Sequence, residues 1–483
     1  MKTFPGFRGI EKLALPKLTG KTIAYMDFTL QEFLTIKNYH FEYHGAPEKL
    51  DQEISGVSTD SRTIRPNEIF FALRGDLYDG HNFVQDVFRK NAAVAVVEKS
   101  WWQQECAKFE NQDIFVVENS VTALQEAARF YRKKFDHPII AITGSNGKTT
   151  TKEMVAVVLS ELGLICKTEG NLNNHIGVPL TLFRLTKHHW ASVLELGTNH
   201  FGELARLCEM ADPQYGLITN IGHGHLEFFG DLAGVAKAKM ELFDYLSPNG
   251  TAFINIDDPW IVKLAPKFEK CITYGFREEA KVFGQFLGSD DMRYPSFTVQ
   301  GKSIKINLFG QHNVYNALAA VAVGLEFGVS LDQIKPALEN IKLPSKRMEV
   351  LRRKNIVILN DSYNANPDST RAALEVLSQI ANSGRKIFVF GDMLELGKSA
   401  PAEHAKIGRL LKDFKVDAFL AYGPLSEAAV QQARKSTKNI VVQHFVDKND
   451  LISTLKELIQ EGDIILVKGS RGMKMEEIID KLF

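Results

Sequence analysis

The sequence predicts an α/β protein of three domains, two of them built on largely parallel sheets. Length supports this, because 483 residues hold about three domains at about 150 residues each. Through the last two thirds of the chain, short apolar runs alternate with helix-period segments, the pattern of parallel strands covered on both faces. From residue 138 an apolar run, a glycine loop and a helix follow one another, the order in which such sheets present a phosphate loop.

Composition narrows the function. Hydrophobic residues at 45% and charged residues at 24% suit a globular protein with ample core. Lys+Arg 58 balance Asp+Glu 58, so net charge gives no footprint for nucleic acid or an anionic membrane. Cys106, Cys166, Cys208 and Cys271 are scattered, with no C-x-x-C pair. That argues against a disulfide framework or structural zinc and fits a reducing cytoplasm. The most apolar stretch, N-A-L-A-A-V-A-V-G-L-E-F, is interrupted by Glu326 and is too short to span a membrane. The opening residues are basic without an apolar h-region, so they are expected to be a flexible extension of about 25 residues rather than a signal peptide.

In the first domain, 1–135, the runs A-A-V-A-V-V-E and D-I-F-V-V-E predict strands, and V-T-A-L-Q-E-A-A-R-F-Y-R-K-K-F predicts a helix. Asp136-His137-Pro138 ends that helix, because proline disfavours helical geometry in the residue before it. The second domain, 136–343, opens with P-I-I-A-I-T, the loop and the helical T-K-E-M-V-A-V-V-L-S-E-L. Buried strands A-S-V-L-E-L, Y-G-L-I-T-N-I and T-A-F-I-N-I follow, which predicts a parallel sheet, and Leu343-Pro344 marks the exit. The third domain, 344–483, alternates N-I-V-I-L-N, a helix from Ser369, K-I-F-V-F, a helix, D-A-F-L-A-Y, a helix, N-I-V-V-Q-H-F, a helix and D-I-I-L-V-K, a second doubly wound fold. Two such domains in series place a site in the cleft between them.

The candidate chemistry lies at predicted strand ends. In A-I-T-G-S-N-G-K-T-T-T-K-E-M, Gly144 and Gly147 let the backbone turn around phosphate, Lys148 reaches the β/γ-phosphates and the Thr149 hydroxyl suits Mg²⁺. Ile142 stands where the strict pattern has its first glycine, so the strand–loop–helix order carries the reading. Glu195, in V-L-E-L-G-T-N, ends an apolar strand, where a carboxylate must be paired, metal-bound or turned to solvent. T-N-I-G-H-G-H-L-E supplies His223 and His225 after another strand, as cleft ligands or as ordinary loop histidines. A-K-A-K-M-E-L-F is by default a solvated helix face, yet an unprotonated lysine near Mg²⁺ can capture CO₂ as a carbamate. Asn313 and Asn316 share a helix face and can read a base edge, though Asn313 also suits capping. N-D-S-Y-N-A-N-P-D-S gathers Asp361, Tyr363, Asn364 and Asn366, an array suited to ribose or a polar substrate, or an Asx-rich turn.

These motifs, together with E-G-N-L-N-N-H-I-G-V-P, occur in an order that resembles the Mur ligases, the ATP-dependent amide ligases of peptidoglycan precursor synthesis. The likeness covers nearly the whole chain beyond its first few dozen residues. It implies an N-terminal α/β UDP-sugar-binding domain, carried by S-T-D-S-R-T-I-R-P-N-E-I-F-F-A-L-R-G-D-L-Y-D-G-H-N-F. It further implies a central P-loop ATP-binding domain and a C-terminal Rossmann-like ligase domain. D-S-Y-N-A-N-P followed by F-G-D-M-L-E-L-G resembles the branch that adds D-alanyl-D-alanine to UDP-MurNAc-tripeptide; other members usually carry D-x-A-H-x-P. Another ligase adding a single amino acid, and a nucleotide-dependent switch, are the rival readings.

The resemblance implies that Gly144, Ser145, Asn146, Gly147 and Thr150 cradle ATP, with Lys148 on the γ-phosphate. It implies two Mg²⁺ ions, one on Thr149 and one on Glu195, His225 and a carbamylated Lys239, chosen over Lys237 for its distance to the following Leu-Phe. Asn313 and Asn316 would meet adenine, Arg347 a phosphate and Asp361 the ribose. Ser61 and Arg62 would lie at the UDP end, with Asn173, Asn174, Tyr363, Asn364 and Asn366 on substrate and Lys468, Ser470 and Arg471 facing the cleft. Lys346 stands where the family commonly has glycine; if that glycine is left-handed, the turn here should differ. A cytoplasmic monomer without nucleic-acid partner or membrane insertion is expected.

Overall fold

A computed structural model describes residues 26–75, 78–290, 294–380, 384–437 and 440–482. The expected N-terminal extension lies outside the described residues. The chain divides into two compact units, Met1–Ser120 and Val121–Phe483. Among the described residues, no helix is long and apolar enough to cross a membrane.

The first unit is built on a five-stranded sheet in the order Glu42–His44, Ile114–Val117, Val94–Glu98, Glu68–Phe71, Gly56–Ser58. Its first pair is antiparallel and the others are parallel. Within the two runs expected as strands, Val94–Glu98 and Ile114–Val117 are buried along their whole length, which is why they read as continuous apolar stretches rather than alternating ones. Phe33 packs against Phe28, Phe41 and Phe115 with ring centroids 4.7, 5.3 and 5.2 Å apart, closing one face of the sheet.

The second unit carries two sheets. The helix Ser120–Arg132 begins at the division, and its Tyr131 and Arg132 hydrogen-bond to the carbonyls of Leu185 and Ala211 within the second unit. The nine-stranded sheet places Tyr215–Ile218, Ile139–Thr143 and His189–Glu195 side by side, all parallel, with only Leu164–Lys167 beyond them on that side. Their carboxyl ends therefore open on one edge, where Ile142 pairs with Glu195 and Thr143 with Ile218. The expectation of a parallel sheet needs correction at one side. Val282–Ser289 still adds parallel to Lys270–Gly275, but Pro295–Val299 and Lys302–Lys305 then extend the sheet as antiparallel strands. The last two are joined by Gln300-Gly301, with φ 47° and 77°, the two-residue turn whose twist matches a hairpin.

The six-stranded sheet runs Glu349–Arg353, Ile356–Asp361, Ile464–Lys468, Lys386–Gly391, Ala418–Tyr422, Val441–Phe445, parallel apart from its first pair. Glu349–Arg353 was not anticipated, because it is a half-buried edge strand carrying two exposed arginines. Ile464–Lys468 lies between two strands that precede it in sequence, so the sheet has a switch point where Asp361 pairs with Lys468, the place such sheets bind ligands. The helix expected from Ser369 begins at Pro367: Asn366 accepts the Ser369 N–H at 2.8 Å as its cap, and proline occupies the first turn.

The turn at Lys346 also corrects an expectation. It keeps a left-handed backbone with lysine in place, at φ 68°. Its N–H donates to Glu349 Oε2 at 3.1 Å, and its Nζ lies 3.0 Å from Glu476 Oε1. These contacts hold a conformation that glycine would adopt without strain.

Candidate active site

The strand Ile139–Thr143 ends in a loop whose backbone only glycine accommodates easily. Gly144 has φ 141° and Gly147 has φ 78°, and a Cβ on Gly147 would sit 2.5 Å from Asn316 Oδ1. The loop is tied to the end of the neighbouring strand. Ser145 and Asn146 N–H groups donate to Asn220 O and Oδ1 at 3.0 and 3.1 Å, and Thr219 Oγ1 donates to Asn146 O at 2.6 Å. The helix Lys148–Leu159 starts at once, so its unpaired N–H groups and positive dipole end face the opening. Lys148 Nζ donates to Gly144 O at 2.7 Å, folded back over the loop. Burial lowers its pKa, Glu195 opposes that, and Arg347 adds to it.

Glu195 is 3% exposed and fully committed. Its Oε2 accepts from Thr149 Oγ1 and its Oε1 from Asn173 Nδ2, both at 2.8 Å, while its N–H donates to Thr168 Oγ1 at 2.9 Å. The costly buried carboxylate is thus paired by hydrogen bonds. Arg347 NH2 reaches Thr149 Oγ1 at 2.8 Å, and its guanidinium lies 3.9 Å from the centre of the Tyr363 ring. Two cations therefore flank a hydroxyl–carboxylate pair of hard oxygens. A Mg²⁺ ion held by one carboxylate, one hydroxyl and substrate phosphates fits that donor set. Among the described residues no three His, Cys, Asp or Glu gather as a metal cluster.

Lys239 is 1% exposed, and among the described residues its Nζ has no hydrogen-bond partner. Burial pushes its pKa well down, and Lys148 pushes it further. Lys237 on the same helix is exposed, lying over the Phe201 ring. His225, at φ 56°, has its Nδ1 2.6 Å from Glu395 Oε2 and is not hydrogen-bonded to Glu195. The His225 ring, with burial opposing, holds the Glu395 carboxyl below its usual range. His223 turns instead to Asp368, its N–H donating to Oδ2 at 2.6 Å.

Asn313 and Asn316 form a buried ladder: Thr151 Oγ1 donates to Asn316 Oδ1 at 3.1 Å, Asn316 Nδ2 to Asn313 Oδ1 at 3.0 Å, and Asn313 Nδ2 to Phe309 O at 2.7 Å. Each amide retains one donor and one acceptor position beyond those bonds. On the facing sheet, Lys468 Nζ donates to Asp361 Oδ2 at 2.5 Å and to Asn364 O at 3.0 Å. Asn366 Nδ2 crosses to Asn146 Oδ1 at 2.8 Å, tying the phosphate loop to the third predicted domain.

A cleft of about 1310 Å³ joins these groups. Lys148, Thr149, Glu195, His225, Arg347 and Lys468 all line it. So do Ser145, Asn146, Gly147, Thr150, Asn173 and Asn174, and likewise Asn313, Asn316, Asp361, Tyr363, Asn364 and Asn366. Lys239 and Ser470 are buried behind the wall; Ser470 Oγ accepts the Leu394 N–H at 2.8 Å. Arg471 is exposed, its NH1 3.0 Å from Glu476. Ser61 and Arg62 belong to the first unit. There the Arg62 guanidinium grips Asp60 at 2.7 and 2.9 Å and holds that carboxyl down at about 2. Sequence reasoning gave no role to Glu395, Asp368 or Asn220. All three lie inside quoted motifs, Asn220 two residues before Gly222 in T-N-I-G-H-G-H-L-E, and no spacing signal sets them apart there.

Family models match three stretches of the chain: "Mur ligase family, catalytic domain" over 53–132, "Mur ligase middle domain" over 142–324 and "Mur ligase, glutamate ligase domain" over 346–471. The UDP-N-acetylmuramoyl-tripeptide--D-alanyl-D-alanine ligase of Bacillus subtilis (strain 168) is 35% identical over 454 residues, spanning 93% of this chain and 98% of that one. The crystal structure of MurF from Acinetobacter baumannii shares 33% identity with a TM-score of 0.84, over 95% of this chain and 99% of that one. MurF ligase from Thermotoga maritima, solved in complex with ADP, shares 27% identity with a TM-score of 0.77, over 88% and 96% of the two chains.

Proposed function

This chain belongs to the Mur ligase family, and from that premise we propose that it joins D-alanyl-D-alanine to UDP-N-acetylmuramoyl-tripeptide at the expense of ATP. The product is the UDP-MurNAc-pentapeptide of peptidoglycan synthesis, made in the last cytoplasmic step by a monomer. Three segments divide the work: 1–135 for the UDP-sugar, 136–343 for ATP and 344–483 for ligation. The observation that carries the reading is the hydrogen bond from Arg347 to Thr149, which sets a cation of the last segment on the phosphate loop.

The tripeptide carboxylate attacks the γ-phosphorus of ATP, giving an acyl phosphate and ADP. The dipeptide amine then attacks the acyl carbon, and phosphate leaves through a tetrahedral intermediate. Lys148, Arg347 and the N-terminus of the helix Lys148–Leu159 offset repulsion between carboxylate and triphosphate. Asn313 and Asn316 read adenine with their remaining donor and acceptor positions, and Asp361 holds the ribose. Asn173, Asn174, Tyr363, Asn364, Asn366, Lys468 and Arg471 order the peptide side, with Ser470 acting from behind the wall through the Leu394 N–H, and Ser61 and Arg62 order the UDP end. Thr149 would hold one Mg²⁺, and Glu195, His225 and a carbamate on Lys239 the second. Bound Mg²⁺ supplies charge neutralisation at the triphosphate. The buried, unpartnered and proton-poor Lys239 amine supports the carbamate, because CO₂ adds to a neutral amine.

Phosphate release from ATP and Mg²⁺ tests the reading, with the two acceptor substrates added separately and together. Release that requires both, with a product heavier by the dipeptide, is the expected result. Release with neither makes the protein a nucleotide switch, and a single amino acid replacing the dipeptide makes it another ligase of the family.

A further inference from the structure

The loop after the strand Lys386–Gly391 is pinned at three successive residues. The Asp392 carboxylate accepts the N–H groups of Ser426 and Leu425 at 2.7 and 3.1 Å. Met393 N–H donates to His404 Nε2 at 3.0 Å, and Leu394 N–H to Ser470 Oγ at 2.8 Å. The next residue, Glu395, is thereby aimed with little freedom. It stands at φ 62° and places Oε2 2.6 Å from Nδ1 of His225, itself at φ 56°. Two non-glycine residues in left-handed conformations, delivered from two different sheets, meet side chain to side chain. Such backbone geometry persists only where the surroundings enforce it, and it concentrates at functional contacts.

The seam is wider than this pair. Glu227 N–H donates to Glu395 O at 3.0 Å. Leu226 and Phe229 share an apolar cluster with Met393 and Leu396. At Gly397, φ 52°, a Cβ would lie 3.1 Å from Glu227 Cα, so a side chain there would crowd the approach.

We propose that Glu395 is a positioning residue through which the third segment fixes the His225 ring, so that this histidine is set for its ligand role only when the two sheets are docked along the seam. The inference rests on the ligase reading above. A carboxylate beside Nδ1 restrains ring rotation and favours the proton on that nitrogen, which leaves Nε2 as the lone-pair nitrogen.

The test uses the full chain carrying Glu395→Gln, Glu395→Asp, His225→Ala, or Glu395→Gln with His225→Ala. Steady-state kinetics are measured beside the number and affinity of Mn²⁺ ions bound to the enzyme–ADP complex, read by electron paramagnetic resonance without turnover. Glu395→Gln should lower kcat about 10–100-fold, leave KM for ATP within about 2-fold, and weaken one Mn²⁺ site by a similar factor to kcat. Glu395→Asp should recover part of both losses. On the His225→Ala background, Glu395→Gln should add less than about 2-fold. Parental kcat and Mn²⁺ binding in Glu395→Gln overturn the proposal. So does an effect undiminished without His225, or a loss of ATP binding and thermal stability in place of the kcat effect. If the parent enzyme ligates nothing, the ligase reading falls, while Mn²⁺ binding to the ADP complex still judges Glu395.

Discussion

Lys148 and Lys239 are both lysines with pKa values lowered by burial, yet their surroundings set them different tasks. Lys148 is folded over its own loop with Glu195 close enough to oppose the loss of its charge, which suits the phosphate-binding cation of the proposed reaction. Lys148→Ala should lower kcat by at least about 10²-fold while circular dichroism and melting temperature stay near the parent; near-normal turnover would remove it from the chemistry. Among the described residues Lys239 has no hydrogen-bond partner, and burial, with Lys148 adding to it, lowers its pKa well below the ordinary range, so its amine gives up its proton more readily and suits the proposed addition to CO₂. Lys239→Ala should lose most activity and regain part of it with bicarbonate or short carboxylates. Parental activity without rescue would defeat the carbamate. Lys148 was legible from its motif alone. Preferring Lys239 to Lys237 rested on family spacing, and burial now supports that choice, because exposure differs between lysines two apart on one helix.

At the scale of elements, the phosphate loop shows how a local pattern and a distant partner share one position. Gly147 was expected from the turn, but its neighbour Asn316 comes from a helix far along the chain. Gly147→Ala should therefore cost about 1–2 kcal/mol in backbone strain, with further loss from the Asn316 contact. Urea unfolding and ADP affinity measured together check this, and a variant matching the parent in both would show that the loop relaxes freely. The strands with continuous apolar runs and the helices between them were legible because burial on both faces leaves that signature. The hairpin at Gln300-Gly301 and the edge strand Glu349–Arg353 were not, since half-exposed edge strands carry polar residues that resemble loop.

At the scale of the molecule, acid sensitivity should register the second unit's packing. His137 stands at the break between the helix Ser120–Arg132 and the strand Ile139–Thr143, its Nε2 2.9 Å from Ser192 Oγ. Burial, aided by Arg132 and His189, pushes its pKa from 6.5 down to about 4. The unfolded chain then binds this proton more readily than the folded one. Stability present above pH 6.5 is lost progressively as pH falls towards about 4, and the loss levels off below that. Urea midpoints between pH 7 and 4 should fall less steeply for His137→Asn than for the parent. Equal slopes would place the acid sensitivity elsewhere.

The sequence by itself determined the α/β class, the order of most elements and the motif residues Lys148, Thr149, Glu195 and Asp361. Those depend on short-range signals: apolar runs, glycine spacing and strand ends. Only the tertiary structure decided which of these residues meet. It set Arg347 on Thr149, bonded Glu195 to Thr149 and Asn173, and gave His225 to Glu395 rather than to Glu195. It also kept a left-handed turn at Lys346 that glycine would have announced. Each of these pairings is fixed by the register of strands far apart in the chain, which a local pattern does not encode.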